Sequence, residues 1–138
     1  MNSPAVEAVA LREPDPSLVS YTHWMYALHA LSAITGMFGS LAVAVAFVFG
    51  IPSIIAVVMN YARRADARGT YLDSHFSWQL RTFWFAALWI GIVFVLSFPL
   101  FFVLIGFLTF PLGMFIVGVW VIYRVVRGWL RLKDRQTV

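Results

Sequence analysis

The chain has 138 residues, 62% hydrophobic and 12% charged, with a net charge of +4 at neutral pH and no cysteine. Soluble domains average roughly 25% charged residues, so this composition excludes an ordinary soluble globule. The length fits one domain, and the lack of cysteine excludes disulfides, thiolate metal sites and cysteine nucleophiles.

The sixteen charged side chains fall in three short stretches, separated by uncharged gaps of 47 residues (16–62) and 42 residues (82–123). A helix rises about 1.5 Å per residue and a bilayer core is about 30 Å thick, so each gap exceeds one straight span. The expected fold is therefore an all-α, polytopic transmembrane helical bundle with four helical segments. Basic residues flank the apolar spans, so topology and anionic lipid account for the positive charge better than nucleic acid does.

Residues 1–19 carry Glu7, Glu13 and Asp15 and have no basic n-region, so they do not read as a secretory signal. Pro14 and Pro16 interrupt any helix begun before them. A mobile or surface-lying tail is expected over 1–19, a helical transmembrane domain over 20–132, and a C-terminal tail over 133–138.

The first gap offers two places to break. A break at Gly36–Ser40 gives a short first span and a second span kinked at Pro52. A break at Gly50–Pro52 gives a full first span and a half-length or re-entrant helix from Ile51 to about Arg64. Both readings give two segments. Arg63 and Arg64 suit a helix C-terminus, and Gly69 is a breaker. Asp73 or Ser74 is then expected to cap a third helix, with Tyr71 or Leu72 as hydrophobic staple. That helix begins amphipathic at the interface, and Trp78, Trp84 and Trp89 mark its passage through the headgroups. Pro99 is expected to kink it, with the turn at Gly106–Pro111 and a fourth helix from about Leu112. Arg124, Arg127, Arg131 and Arg135 recur at spacings of three, four and four residues, a basic stripe on one face.

Stretch 63–81 carries four Arg against two Asp, and stretch 124–138 five basic residues against one Asp. The positive-inside rule places both in the cytoplasm, and two helices between them return the chain to one side. The single Arg before the first gap places the N-terminus only weakly, with the cytoplasm favoured. Arg63, Arg64, Arg68, Arg124, Arg127, Arg131 and Arg135 are accordingly assigned to topology or to lipid headgroups, with binding of anionic lipid at about 1 kcal/mol per basic residue near the surface.

The segment IPSIIAVVMNYARRADARGTYLDSHFSWQLRTFW, with HALSAITG before it and LIGFLTFPLGMF after it, resembles a family of small bacterial four-helix membrane proteins. That family is related to the Tic subunit of about twenty kilodaltons in the chloroplast inner-envelope translocon. The resemblance covers residues 26–132, with His75 and Gln79 in the charged linker as its sharper part. Ser77-Trp78 departs from the Asn common before a Phe there, and the tail lacks the usual closing Tyr-Pro pair. The resemblance implies an inner-membrane helical fold and, by analogy with the chloroplast relative, a pore or translocation role.

His75 and Gln79 share a helical face that Thr82 extends. They form either a polar site at the cytoplasmic mouth of the bundle with Asp73 as partner, or the polar side of an interfacial helix that faces water or caps neighbouring helix ends. His23 and His29 lie on different faces, which leaves His29 with His75 as the one pair to weigh for a bis-histidine haem. Gly36 with Ser40, and Ala87 with Gly91, are small-xxx-small pairs that permit close helix approach within the bundle or between copies. Neither gap holds a carboxylate, Lys or Arg, which argues against a charge-coupled transporter. No nucleophile–base pair, metal cluster, phosphate loop or cofactor fingerprint assembles, so no enzyme, cofactor or metal is expected. The leading expectation is a non-catalytic scaffold or accessory subunit of a membrane complex, with stretch 63–81 as its cytoplasmic contact. The alternative is an oligomeric channel or protein-translocation component, and a haem or quinone redox subunit is a third class.

Overall fold

A computed structural model describes residues 11–38 and 50–138. Among the described residues the structure is helical: α1 (Pro16–Phe38), α2 (Ile51–Ala67), α3 (Leu72–Leu100) and α4 (Gly106–Lys133), with a single 3-10 turn, Phe101–Val103, closing α3. α3 packs against α4 along its length, and α1 packs against both α2 and α4.

α1 begins earlier than the sequence indicates. Asp15 accepts hydrogen bonds from the backbone N–H of Ser17 at its side chain (2.7 Å) and of Leu18 and Val19 at its carbonyl, so Pro16 opens the helix instead of interrupting it. The bond from Ser17 holds the Asp15 carboxyl below the usual carboxylate range. Residues 16–19 thus belong to the helical domain, and Leu18 is fully buried in it. Residues 1–10, the rest of the expected tail, lie outside the described residues.

Pro52 likewise opens a helix. Gly50 is the extended N-cap of α2, its carbonyl accepts from the Ser53 and Ile54 N–H groups, and proline fits the first turn because no donor is required there. A helix starting at Ile51 is the element expected by the second of the two sequence alternatives; residues 39–49, on which the length of the first span turns, lie outside the described residues. Of the Gly36–Ser40 break, residues 39 and 40 fall outside the described residues.

Between α2 and α3 the chain turns at Gly69, whose φ of +73° lies in the left-handed region that glycine adopts without strain. The N-cap of α3 is Tyr71, without a side-chain cap, and neither Asp73 nor Ser74 serves; the Thr70 hydroxyl just before it accepts from the Leu72 N–H at 3.2 Å and donates to the Ala67 carbonyl at 2.7 Å. Asp73 sits in the first turn, where its charge suits the helix dipole.

The α3–α4 turn comes about six residues before the expected position of the fourth helix. Leu104 takes a left-handed conformation (φ 64°) and α4 starts at Gly106, leaving Pro111 inside the helix. The reason is steric. A Cβ on Gly106 would stand 2.5 Å from the backbone nitrogen of Phe101, so only glycine lets the two helices close this tightly.

Chain direction alternates through the four helices, and both basic stretches meet at one end. The buried apolar core also lies there, built on Leu18, Met25, Tyr26, Leu72, Phe76, Val125 and Leu132. Beyond it, α3 and α4 turn apolar side chains outward, including Trp84, Leu88, Val95, Leu96, Leu108, Leu112 and Ile116. Both are long and apolar enough to cross a membrane: Leu72–Val103 and Gly106–Lys133 have mean hydropathies of 2.5 and 1.9 over their most apolar windows, and only 17% of each window is buried. A core helix of a soluble protein would be mostly buried.

Of the two small-xxx-small pairs, Ser40 of the first lies outside the described residues, and Gly91 of the second makes no close approach within the chain. A Cβ on Gly91 would meet nothing within 4 Å, whereas one on Gly113 would stand 2.7 Å from Val93. Gly106→Ala should therefore lower the unfolding midpoint in detergent, by the equivalent of about 1–3 kcal/mol for an overpacked site. Gly91→Ala should leave it unchanged or raise it. Equal midpoints for the two variants would contradict the tight turn.

Candidate functional site

The face of α1 that turns inward carries Thr22, Tyr26, His29, Ser32 and Ala33, spaced by three or four residues so that all fall on one side. Opposite them α3 presents His75, Gln79 and Thr82, and α2 presents Ser53 and Asn60, all buried. Burial of such a group without a partner costs about 1–3 kcal/mol, and most of these side chains find one inside the protein. The resulting bonds cross between helices.

His75 is the centre. Its Nε2 lies 2.6 Å from the Gln136 carbonyl and its Nδ1 2.9 Å from the Tyr26 hydroxyl. A carbonyl only accepts, so Nε2 carries the proton and Nδ1 accepts from Tyr26. The ring thereby ties α3 to α1 and to the segment after α4. Val138 N–H donates to the Ser74 hydroxyl one residue away, so this segment lies along the start of α3. Gln79 accepts from Asn60 Nδ2 at 3.3 Å, and the same amide donates to the Phe76 carbonyl at 3.0 Å, which joins α2 to α3.

A second clamp joins α3 to α4. Arg124 Nε donates to the Thr82 hydroxyl at 2.7 Å, and its guanidinium lies 3.7 Å from the centre of the Trp78 ring. Trp78 Nε1 in turn donates to the Arg124 carbonyl at 3.1 Å. A cation over an indole face is worth about 0.5–2 kcal/mol, more where water is excluded. Further pairs link His29 Nδ1 with Ser53 Oγ (3.3 Å) and Trp129 Nε1 with His23 Nδ1 (2.9 Å).

His75 and Gln79 thus lie together, as their spacing indicates, but in the interior and not on the water-facing side of an interfacial helix. Asp73 is not among the partners of His75. The arginine stripe divides: Arg124 turns in against Trp78 at 3.7 Å, Arg127 and Arg131 are exposed, with Arg127 5.7 Å from the same ring, and Arg135 falls beyond the end of α4 with φ 55°. Arg63 pairs with the exposed Asp66 and lies over Tyr21, and Arg68 ends α2. Arg64 joins Arg81 in a surface groove floored by Tyr61, Leu80, Trp84 and Leu88. Trp78 is likewise an interior clamp, while Trp84 and Trp89 remain on the outer surface.

The hydrogen bonds of the site join helices to one another. Both nitrogens of His75 are committed, which leaves none free to share an iron with His29. The Ser53–His29 pair has no carboxylate to orient its imidazole. Among the described residues no group of three His, Asp or Glu converges as metal ligands. Tyr26 and the Gln136 carbonyl were missed in the sequence. The α1 signal was present in the three-to-four-residue recurrence of Thr22, Tyr26 and His29, but a backbone carbonyl after a helix leaves no trace in residue type.

No protein-family model, curated protein or solved structure matches the chain.

Tyr26→Phe strands His75 Nδ1 and should cost about 1–3 kcal/mol. Gly128→Ala should act on the same bond from α4, because its Cβ would stand 2.5 Å from the Tyr26 hydroxyl. Thermal unfolding in detergent, with the ring ¹⁵N shifts of His75, reads both effects. An unchanged midpoint and unchanged shifts in either variant would dissolve the clamp.

Proposed function

We propose that the chain is an integral protein of a bacterial inner membrane and acts as a non-catalytic scaffold or accessory subunit of a membrane complex. One observation carries the reading: polar side chains are spent on joining helices inside, while the long helices α3 and α4 present apolar side chains outward. Water would penalise that outer surface, which is far larger than the few hundred Å² a soluble monomer exposes in one patch. Hydrocarbon would not.

The arrangement of ends supports the topology. Arg124 and Gln136 bond to the start of α3, so stretches 63–81 and 124–138 share one end of the molecule. The backbone N–H of Arg12 bonds to the Gly69 carbonyl at 2.8 Å, which brings the segment before α1 to that end as well. By the positive-inside rule this end is cytoplasmic. It presents Arg63, Arg64 and Arg68 to a cytoplasmic or membrane partner and Arg127 and Arg131 to anionic headgroups. A pore within one copy would be closed at this end by Tyr26, His75 and Gln136, so the channel suggested by the family resemblance would need an opening between copies.

Cysteine substitutions at Arg12, Arg68 and Gln136 in sealed inner-membrane vesicles should label from the cytoplasmic face alone, and the protein should resist alkaline extraction. In mild detergent it should migrate with other proteins at a mass well above its own. Labelling from the outer face or release by alkali would refute the topology. A homo-oligomer with single-channel conductance would replace the scaffold by the channel.

Arginines that face outward and inward should separate by phenotype. Arg127→Gln with Arg131→Gln should weaken retention of phosphatidylglycerol by about fivefold per residue, the equivalent of about 1 kcal/mol. Arg124→Gln should lower the unfolding midpoint instead. Native mass spectrometry and thermal unfolding distinguish the two, and lipid retention unchanged in the double variant would remove Arg127 and Arg131 from headgroup binding.

A further inference from the structure

A cavity lies between the four helices, above the His75 and Arg124 clamps. Its polar lining comprises His29, Ser32, Ser53, Gln79, Thr82 and Arg124, and its other walls are largely apolar. Three of those lining side chains carry a buried atom that has no hydrogen-bond partner among the described residues: His29 Nε2, Ser32 Oγ and Gln79 Nε2. All three residues are more than nine-tenths buried, at 7%, 2% and 2% exposure. They come from two helices packed face to face, and the other bonds of two of them are already fixed. His29 Nδ1 is held by Ser53 on α2, and Gln79 Oε1 by Asn60.

The unmet groups differ in what they need. Gln79 Nε2 only donates, Ser32 Oγ donates and accepts, and His29 Nε2 does either, according to which way the Ser53 hydroxyl turns. A ligand that satisfies all three must both donate and accept at several positions. The free space is about 40 Å³. That is room for about three water molecules at 10–15 Å³ each, and far below the roughly 300 Å³ at which pockets for drug-sized molecules begin. Size and hydrogen-bonding pattern select the same occupant.

We propose that this cavity is a built hydration site, in which two or three water molecules bridge His29 Nε2, Ser32 Oγ and Gln79 Nε2. The imidazole of His29 then exchanges protons with water even though it is buried between helices. Arg124 and Thr82 line the cavity toward the basic end, the side from which such water exchanges. This goes beyond the scaffold reading and does not depend on it. A soluble or a channel-forming version of the same fold would hold the same water.

The test uses the full chain in lipid bilayers with ¹⁵N-labelled histidine, and solid-state NMR spectra edited by magnetisation transfer from water. His29, assigned through its backbone correlations, should receive water magnetisation several-fold faster than His75, whose two ring nitrogens are both bonded within the protein. Ala86→Leu, which pushes a larger side chain into the cavity wall, should slow the transfer at His29 and leave His23 unchanged. Transfer at His29 as slow as at His75 would overturn the proposal. So would cross-peaks from acyl-chain CH₂ groups to the His29 ring, which would mean that lipid or detergent fills the space. The measurement on the unaltered chain decides the matter even if the Ala86 variant does not fold.

Discussion

His75 is the group on which the packing of the basic end depends. A neutral imidazole has one donor and one acceptor on opposite sides of the ring, and here each is taken by a different part of the chain. The Gln136 carbonyl fixes the proton on Nε2, which leaves Nδ1 able only to accept, and Tyr26 supplies the hydroxyl. Once the ring is set, α1 cannot rotate without stranding a buried nitrogen. The segment after α4 cannot lift without stranding the other. The packing around the pair reinforces it: Tyr26 stacks against Trp129 and rests in the space left by Gly128. Shape and hydrogen bonding point to one arrangement, which is the consistency that specifies a fold.

The Trp78–Arg124 clamp applies the same logic to a charge. An arginine at the margin of an apolar interior is costly unless its guanidinium is matched on its faces and edges. Trp78 covers a face, Thr82 takes an edge, and Trp78 returns a hydrogen bond to the Arg124 backbone. Arg127, one turn on, is exposed; it meets the same Trp78 ring at 5.7 Å and donates to the Tyr123 hydroxyl, but bonds to no other helix. One helical turn thus separates an arginine bonded across helices from one that remains exposed.

Much of this architecture was legible in the sequence, and the failures have physical causes. Charge spacing gave helices in roughly the right places, because excluding charge from long apolar runs is a strong constraint. The ends of helices were harder to place. Pro16 and Pro52 read as breaks, yet proline also suits the first turn, and only the preceding Asp15 and Gly50 distinguish the two uses. The α3–α4 turn was misplaced because Gly106, Pro111 and Gly113 look alike as turn signals. Only the first is required by close backbone approach at the turn; Gly113 makes room for Val93 instead. The inward turn of His75 and Gln79 was not decided, since one polar face at a helix start is equally compatible with water or with a neighbouring helix. The arginine stripe obeyed helical periodicity and still split, because Arg124 is drawn onto the Trp78 face at 3.7 Å and bonded to Thr82, whereas Arg127 meets the same ring only at 5.7 Å and stays exposed.

The α3–α4 turn has a consequence for how the protein reaches its place. From Phe101 to Phe110 it carries no charge and one hydroxyl, and the Leu104 and Ile105 carbonyls are bonded by the N–H groups of the residues that follow. A loop with charges or bare carbonyls would have to be forced through hydrocarbon. This one brings almost nothing that water must let go. Under the proposed membrane reading, a hairpin so equipped would cross a bilayer as a unit, led by its phenylalanines, with its arginines left behind as the anchor.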